Sequence, residues 1–193
     1  MSYRAIEKEY KALISQEKYE WLYRKRNWND SFLQKNHYYD TEDLLLYRNN
    51  ITFRIREVNN KMYIQTKCPN EQLVGSYSIK NECEVEIDNI PDVFSNDEIG
   101  TYLTNICVQT PLILLGSLET FRCVEKIDDV FICLDKNCYF DIVDYEVEIE
   151  FSEISNCLTK TLHDLQVEPV SQVGKYSRFI SIGLLRTAMT VTY

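Results

Sequence analysis

Residues 144–151 read Asp144-Tyr145-Glu146-Val147-Glu148-Ile149-Glu150-Phe151, with apolar residues at the odd positions and acids at the even ones. A side-chain period of two belongs to a β-strand, whose neighbouring residues point to opposite faces. This strand therefore has one apolar face and one ionic face. The same pattern recurs upstream: Ile6, Tyr10 and Ala12 lie on the face opposite Glu7, Glu9 and Lys11, and Phe53 and Ile55 alternate with Arg54 and Arg56. Met62 and Ile64 alternate with Tyr63, Gln65 and Lys67, and Cys83, Val85 and Ile87 with Glu82, Glu84 and Glu86. Phe121 and Cys123 bracket Arg122, and Ile132 and Leu134 precede Asp135.

Helical periodicity separates these strands at Gln16 to Arg26, Pro91 to Ile106 and Ile154 to Leu165. Amphipathic helices need an apolar surface to pack on, and in a chain of 193 residues the apolar sheet face supplies it. The ionic faces are then the concave ones. Thr52-Phe53-Arg54 recurs as Thr120-Phe121-Arg122, 68 positions on, and the same shift carries Ile64 onto Ile132 and Lys67 onto Asp135. Two related halves with no Gly, Ser or Pro linker between them predict one domain over residues 1–193. Its class is α+β, mainly β: a closed eight-stranded antiparallel barrel with helices outside.

Composition narrows the partners. The chain is 45% hydrophobic, which excludes a disordered tail, and its 30 acids against 21 bases give a net charge of −9. Such a molecule is repelled by nucleic acid and by anionic membranes. With no leader-like start and no long apolar run, a cytoplasmic location is expected. Seven cysteines without a C-x-x-C spacing argue against zinc and against disulfides; Cys83, Cys123 and Cys133 are expected on apolar faces as small buried hydrophobes. His37 reads as a strand residue, and Arg24-Lys25-Arg26 as a solvated helix end.

Converging ionic faces bring together carboxylates (Glu7, Glu9, Glu82, Glu84, Glu86, Asp135, Asp144, Glu146, Glu148, Glu150) and cations (Lys11, Arg54, Arg56, Lys67, Arg122). A solvated outer face is the ordinary place for charged strand residues, and an edge strand could carry Glu82, Glu84 and Glu86 in water. Like charges at every second position, however, repel unless something pairs them. A polyanion with a hard divalent cation satisfies both sets, since Arg and Lys hold phosphoryl oxygens while carboxylates hold Mg²⁺ or Mn²⁺. No glycine-rich phosphate loop and no nucleophile elbow is present.

Taken in order, Glu7-x-Glu9-x-Lys11, Tyr38-Tyr39-Asp40-Thr41 with Asp43-Leu44-Leu45-Leu46-Tyr47, Phe53-Arg54-Ile55-Arg56, Thr66-Lys67, Glu146-x-Glu148-x-Glu150 and Lys175-Tyr176-Ser177-Arg178 resemble the CYTH superfamily. These are the triphosphate tunnel metalloenzymes, and the resemblance spans nearly the whole chain. It is greatest to a Gram-positive branch labelled as adenylate cyclases. The resemblance implies a tunnel that binds a triphosphate with Mg²⁺ or Mn²⁺, and a hydrolase acting on tripolyphosphate or an organic triphosphate such as thiamine triphosphate. The alternatives are an adenylate cyclase of class IV type and a non-catalytic polyphosphate- or nucleotide-binding module.

By the same resemblance Glu7 and Glu9, with Glu146, Glu148 and Glu150, would hold metal; two overlapping E-x-E pairs are available in the distal strand, and the later pair fits the family ending. Lys11, Arg54, Arg56, Lys67, Arg122, Lys175 and Arg178 would contact phosphate. Lys11, Arg56 and Glu148 would be catalytic, with Glu82, Glu84, Glu86 and Asp135 as secondary tunnel carboxylates. The expected partner is a triphosphate-containing small molecule; a homodimer is compatible with the sequence, which specifies neither it nor a monomer.

Overall fold

The alternating segments form strands that close on themselves. In a computed structural model describing residues 3–70, 77–103, 108–168 and 173–190, nine strands make one antiparallel sheet. They are β1 (Tyr3–Ile14), β2 (Asp30–Asp40), β3 (Thr52–Val58), β4 (Lys61–Pro69), β5 (Ser78–Ile87), β6 (Val93–Phe94), β7 (Leu112–Ile127), β8 (Val130–Tyr139) and β9 (Ile142–Phe151). Eight run in the order β2-β3-β4-β5-β1-β9-β8-β7, and β7 pairs back with β2 to close the ring. The two-residue β6 attaches to β7 outside it. This is the expected eight-stranded barrel.

Register aligns the charges. Glu9 stands opposite Glu150, Lys11 opposite Glu148, Lys67 opposite Glu82 and Arg122 opposite Asp135, so ionic residues of neighbouring strands share the inner face. The two Thr-Phe-Arg segments lie on β3 and β7, each opening a hairpin. In the first hairpin Asn59 and Asn60 both take positive φ, the backbone that a two-residue turn matching strand twist requires.

Helices cover the outer face. α1 (Gln16–Lys25) starts where the Ser15 side chain accepts from Lys18 N at 3.2 Å, and α4 (Asn156–Leu165) where Ser155 accepts from Leu158 N at 3.1 Å. Their Tyr19, Leu22, Leu158 and Leu165 pack on Tyr10, Ile132, Leu134, Val147 and Ile149. A fully buried leucine such as Leu22 contributes about 2 kcal/mol of transfer free energy. On the other side Ile99 and Leu103 pack on Phe53, Ile55 and Ile64. No described helix is long and apolar enough to cross a membrane.

Four local expectations need correction. The single helix over Pro91 to Ile106 is instead β6 followed by a short α3 (Asn96–Tyr102), started by a capping box of Ser95 and Glu98; Ile106 lies outside the described residues. Two helices were not expected at all: α2 (Leu45–Arg48) and α5 (Lys175–Thr190), whose Tyr176, Phe179 and Ile180 pack on the inward-facing Tyr38 and Leu118 at one end of the barrel. Cys133 is not on the apolar face. Sharing the inner face with Asp135, it lies with Sγ 4.0 Å from Glu150 Oε1, whereas Cys123 is in the apolar core and Cys83 is half-buried. Cys107 lies outside the described residues. Arg26 is no solvated helix end, since its Nε donates to Glu125 at 2.6 Å in a half-buried pair. His37 is on β2, as expected, with Nε2 on the Glu57 carboxylate.

Candidate active site

Strand alternation aims the charged side chains at one cavity of about 260 Å³ inside the barrel. Lys11 and Glu7 come from β1, Arg54 and Arg56 from β3, Lys67 from β4, Glu82 and Lys80 from β5, Arg122 from β7, Glu148 and Glu150 from β9, and Lys175 from the first turn of α5. Seven cations thus face four carboxylates in a chain whose net charge is −9. The lumen reverses the sign of the molecule.

Behind this lining lies a layer of ion pairs. Arg122 grips Asp135 with two hydrogen bonds, 2.8 and 2.6 Å, and also donates to Glu148. Lys175 Nζ sits 2.8 Å from Asp135, 3.1 Å from Glu146 and 2.7 Å from Glu148. Burial opposes the charged forms, but Lys175, Arg122 and Lys11 outweigh it and hold the Glu148 carboxyl well below the usual range. Asp135 is depressed in the same way, by Arg122 and Lys175 against its own desolvation. Lys67 bridges Glu7 at 2.6 Å and Glu82 at 2.5 Å, while Lys11 contacts Glu9 and lies 3.8 Å from Glu148.

Three lumen groups carry the opposite signature. Burial, then Arg54 and Arg122, push Arg56 down to about 9, and burial, then Lys11 and Lys67, push Lys80 down to about 8. Among the described residues neither has an ion-pair partner, and neither does Arg54. Burial and then Glu7 raise Glu150 to about 7. Buried cations without a carboxylate partner favour an incoming anion.

Among the expected site residues, Glu7, Lys11, Arg54, Arg56, Lys67, Glu82, Arg122, Glu148, Glu150 and Lys175 line the cavity. Glu9, Glu146 and Asp135 lie beneath it, each at most 1% exposed. Arg178 is turned away: it bonds Asp144 at 3.0 and 3.2 Å, Glu146 at 2.7 Å and the Val173 carbonyl at 2.6 Å. Glu84 and Glu86 are off the cavity, accepting from Gln65 and Lys61. Lys80, Tyr38, Gln65 and Thr52 line it without having been singled out, although each lies on the inner parity of its strand; Lys80 is one step beyond Glu82. Tyr47, Asn50, Tyr176 and Ser177 come from α2, the turn after it and α5, and no strand pattern announced them.

Glu7, Glu9, Glu148 and Glu150 carry oxygen donors of the kind a hard divalent cation takes. Glu9 is buried with Oε2 lacking a hydrogen-bond partner among the described residues, and Glu150 stands near enough to Glu7 to feel its charge. Among the described residues no three carboxylate, thiol or imidazole groups are placed to hold a metal ion, and Lys11, Lys67 and Arg122 contact Glu9, Glu7 and Glu148.

Residues 5–177 match the family model described as the CYTH domain. YjbK of Bacillus subtilis strain 168, named as a candidate triphosphatase, is 29% identical over 154 residues, covering 76% of this chain and 78% of the relative. A solved structure from Bacillus halodurans, named as a candidate adenylate cyclase, is 25% identical with a TM-score of 0.70, covering 91% of this chain and 98% of that one. A Hippeastrum protein described as a candidate adenylyl cyclase with dominant triphosphatase activity has a TM-score of 0.68 over 91% of this chain and 95% of its own; at 21% identity that likeness is one of fold.

Proposed function

Because the chain belongs to the CYTH domain family, we propose that it is a divalent-metal-dependent triphosphatase that hydrolyses a terminal phosphoryl group from tripolyphosphate or an organic triphosphate. One observation carries this reading: the guanidiniums of Arg54 and Arg56 face the lumen without a carboxylate counterion among the described residues. A purely structural barrel would have paired or removed them. The name of the Bacillus subtilis relative agrees, and the net charge of −9 argues against nucleic acid and membranes.

Arg54, Arg56 and Lys80 would bind non-bridging phosphoryl oxygens, and Lys11, Lys67, Arg122 and Lys175 would spread positive charge along the chain of phosphates. Lys11, between Glu9 and Glu148, would hold the transferred group; Glu148, kept ionised by its cations, orients Lys175 and Arg122. Mg²⁺ or Mn²⁺, held by Glu7, Glu9, Glu148 and Glu150 when bound, would neutralise charge on the phosphates. Glu146, pinned by Arg178 and Lys175, would orient the distal strand rather than reach the substrate.

The test is an incubation with tripolyphosphate, thiamine triphosphate and ATP, each with Mg²⁺ or Mn²⁺, following orthophosphate, pyrophosphate and cyclic AMP. Orthophosphate release that is lost in Glu9→Gln is the expected result. Arg56→Ala should lower kcat/KM by about 10²-fold, about 3 kcal/mol of barrier. Wild-type turnover in that variant would remove the lumen from the chemistry. Cyclic AMP with pyrophosphate would make the protein a cyclase, and a thermal shift with triphosphate but no turnover would make it a binding module.

A further inference from the structure

Arg54 and Arg56 are held differently from Lys11, Lys67, Arg122 and Lys175, each of which contacts a carboxylate. Arg54 Nε donates to Gln65 Oε1 at 2.9 Å, and Arg56 Nε donates to Asn36 Oδ1 at 3.1 Å. Neutral amides hold both arginines by the one nitrogen that does not belong to the terminal fork.

A guanidinium can only donate, so the amide oxygens must face the arginines and the amide nitrogens must face away. Gln65 Nε2 accordingly donates to Glu84 at 2.5 Å. Register places Gln65 between Arg54 on β3 and Glu84 on β5, opposite charges that would otherwise attract each other across the space it fills. Asn36 is fully buried, and among the described residues its Nδ2 has no partner and the neighbouring Tyr38 hydroxyl has none either. The surroundings of Arg56 therefore have a surplus of donors, as an oxyanion requires. A carboxylate at either amide position would offset the desolvation of the arginine and cancel its charge.

We infer that Asn36 and Gln65 are positioning residues that insulate Arg54 and Arg56 from carboxylates, so that both guanidinium forks stay oriented and open to phosphoryl oxygens. The inference rests on reading the lumen as a triphosphate site. It makes the affinity of that site depend on two uncharged residues, one of which is not on the cavity surface.

The test measures KM for tripolyphosphate with Mg²⁺, the thermal shift that tripolyphosphate induces, and the melting temperature alone. Asn36→Asp gives Arg56 a counterion. Its melting temperature should hold or rise while KM rises about tenfold and the tripolyphosphate shift shrinks. Gln65→Ala opens Arg54 to Glu84 and should also raise KM; adding Glu84→Gln should restore it toward wild type. A merely structural role predicts lower stability in Asn36→Asp and no recovery in the double variant. Wild-type KM in Asn36→Asp or Gln65→Ala, or failure of Glu84→Gln to restore, overturns the inference. Should Asn36→Asp not fold, the Gln65 and Glu84 variants decide alone. If Arg56→Ala is inactive while the amide variants behave as wild type, the inference fails and the triphosphatase reading stands; if Arg56→Ala is fully active, that reading fails first.

Discussion

Asp40 shows how one buried carboxylate can serve two elements. Its Oδ1 accepts from Thr41 N at 2.7 Å and Leu46 N at 2.8 Å, and its Oδ2 from Tyr47 N at 2.8 Å and the Tyr176 hydroxyl at 2.6 Å. It thus caps α2, whose own N-cap residue Leu44 has a left-handed backbone and makes no side-chain cap bond, and it pins the residue next to Lys175. Asp40→Asn replaces one acceptor oxygen by a donor that faces other donors. A loss of about 2 kcal/mol in urea unfolding is expected, with a raised KM because Tyr47 and Tyr176 line the cavity. Unchanged stability would show that the carboxylate is dispensable. Asp40 was quoted in the sequence only as part of a motif, because nothing local says that Tyr176, 136 positions away, is its partner.

At the scale of elements, α5 is the one that the lumen most depends on and the pattern least revealed. Its apolar residues Tyr176, Phe179 and Ile180 are spaced for one helical face, but the surface they meet is the end of a barrel, which exists only after closure. Gly116 makes the fit. It has φ of +139° opposite the bulge between Tyr38 and Tyr39, and a Cβ there would stand 3.0 Å from Phe179 Cζ. Gly116→Ala should destabilise by about 1–3 kcal/mol and loosen α5, seen as faster amide exchange in that helix. Unaltered exchange in α5 would mean that Phe179 yields without moving the helix.

For the whole molecule, the buried charge layer couples stability to acid. Glu148 and Asp135 are held below their ordinary range because, against desolvation, Lys175 and Arg122 favour the ionised forms. A depressed carboxyl contributes stability that is fully present above its unfolded pKa and is lost as pH falls through the folded one. The urea midpoint of metal-free protein should therefore fall as pH is lowered below about 4.5. A flat profile down to pH 3 would mean that these pairs contribute nothing net. The same layer explains how an acidic chain presents a cationic lumen: Asp135, Glu146 and Glu148 hold Arg122 and Lys175 in position, while Arg54, Arg56 and Lys80 have no ion-pair partner among the described residues.

Period-two alternation in segments such as Asp144 to Phe151 determined the strands, the inward aim of the ionic faces and most of the lumen, because which face a strand residue occupies is a local property of the backbone. It misplaced Cys133, whose apolar character suggested the wrong face, although its parity with Asp135 already gave the right one. Only the tertiary structure decided which charges cancel. Arg178 is paired with Asp144 and Glu146 and Lys67 with Glu7 and Glu82, whereas Arg54 and Arg56 rest on amides. Pairing of that kind depends on register between strands distant in sequence, and a cation's availability depends on its neighbours rather than on its own position along the chain.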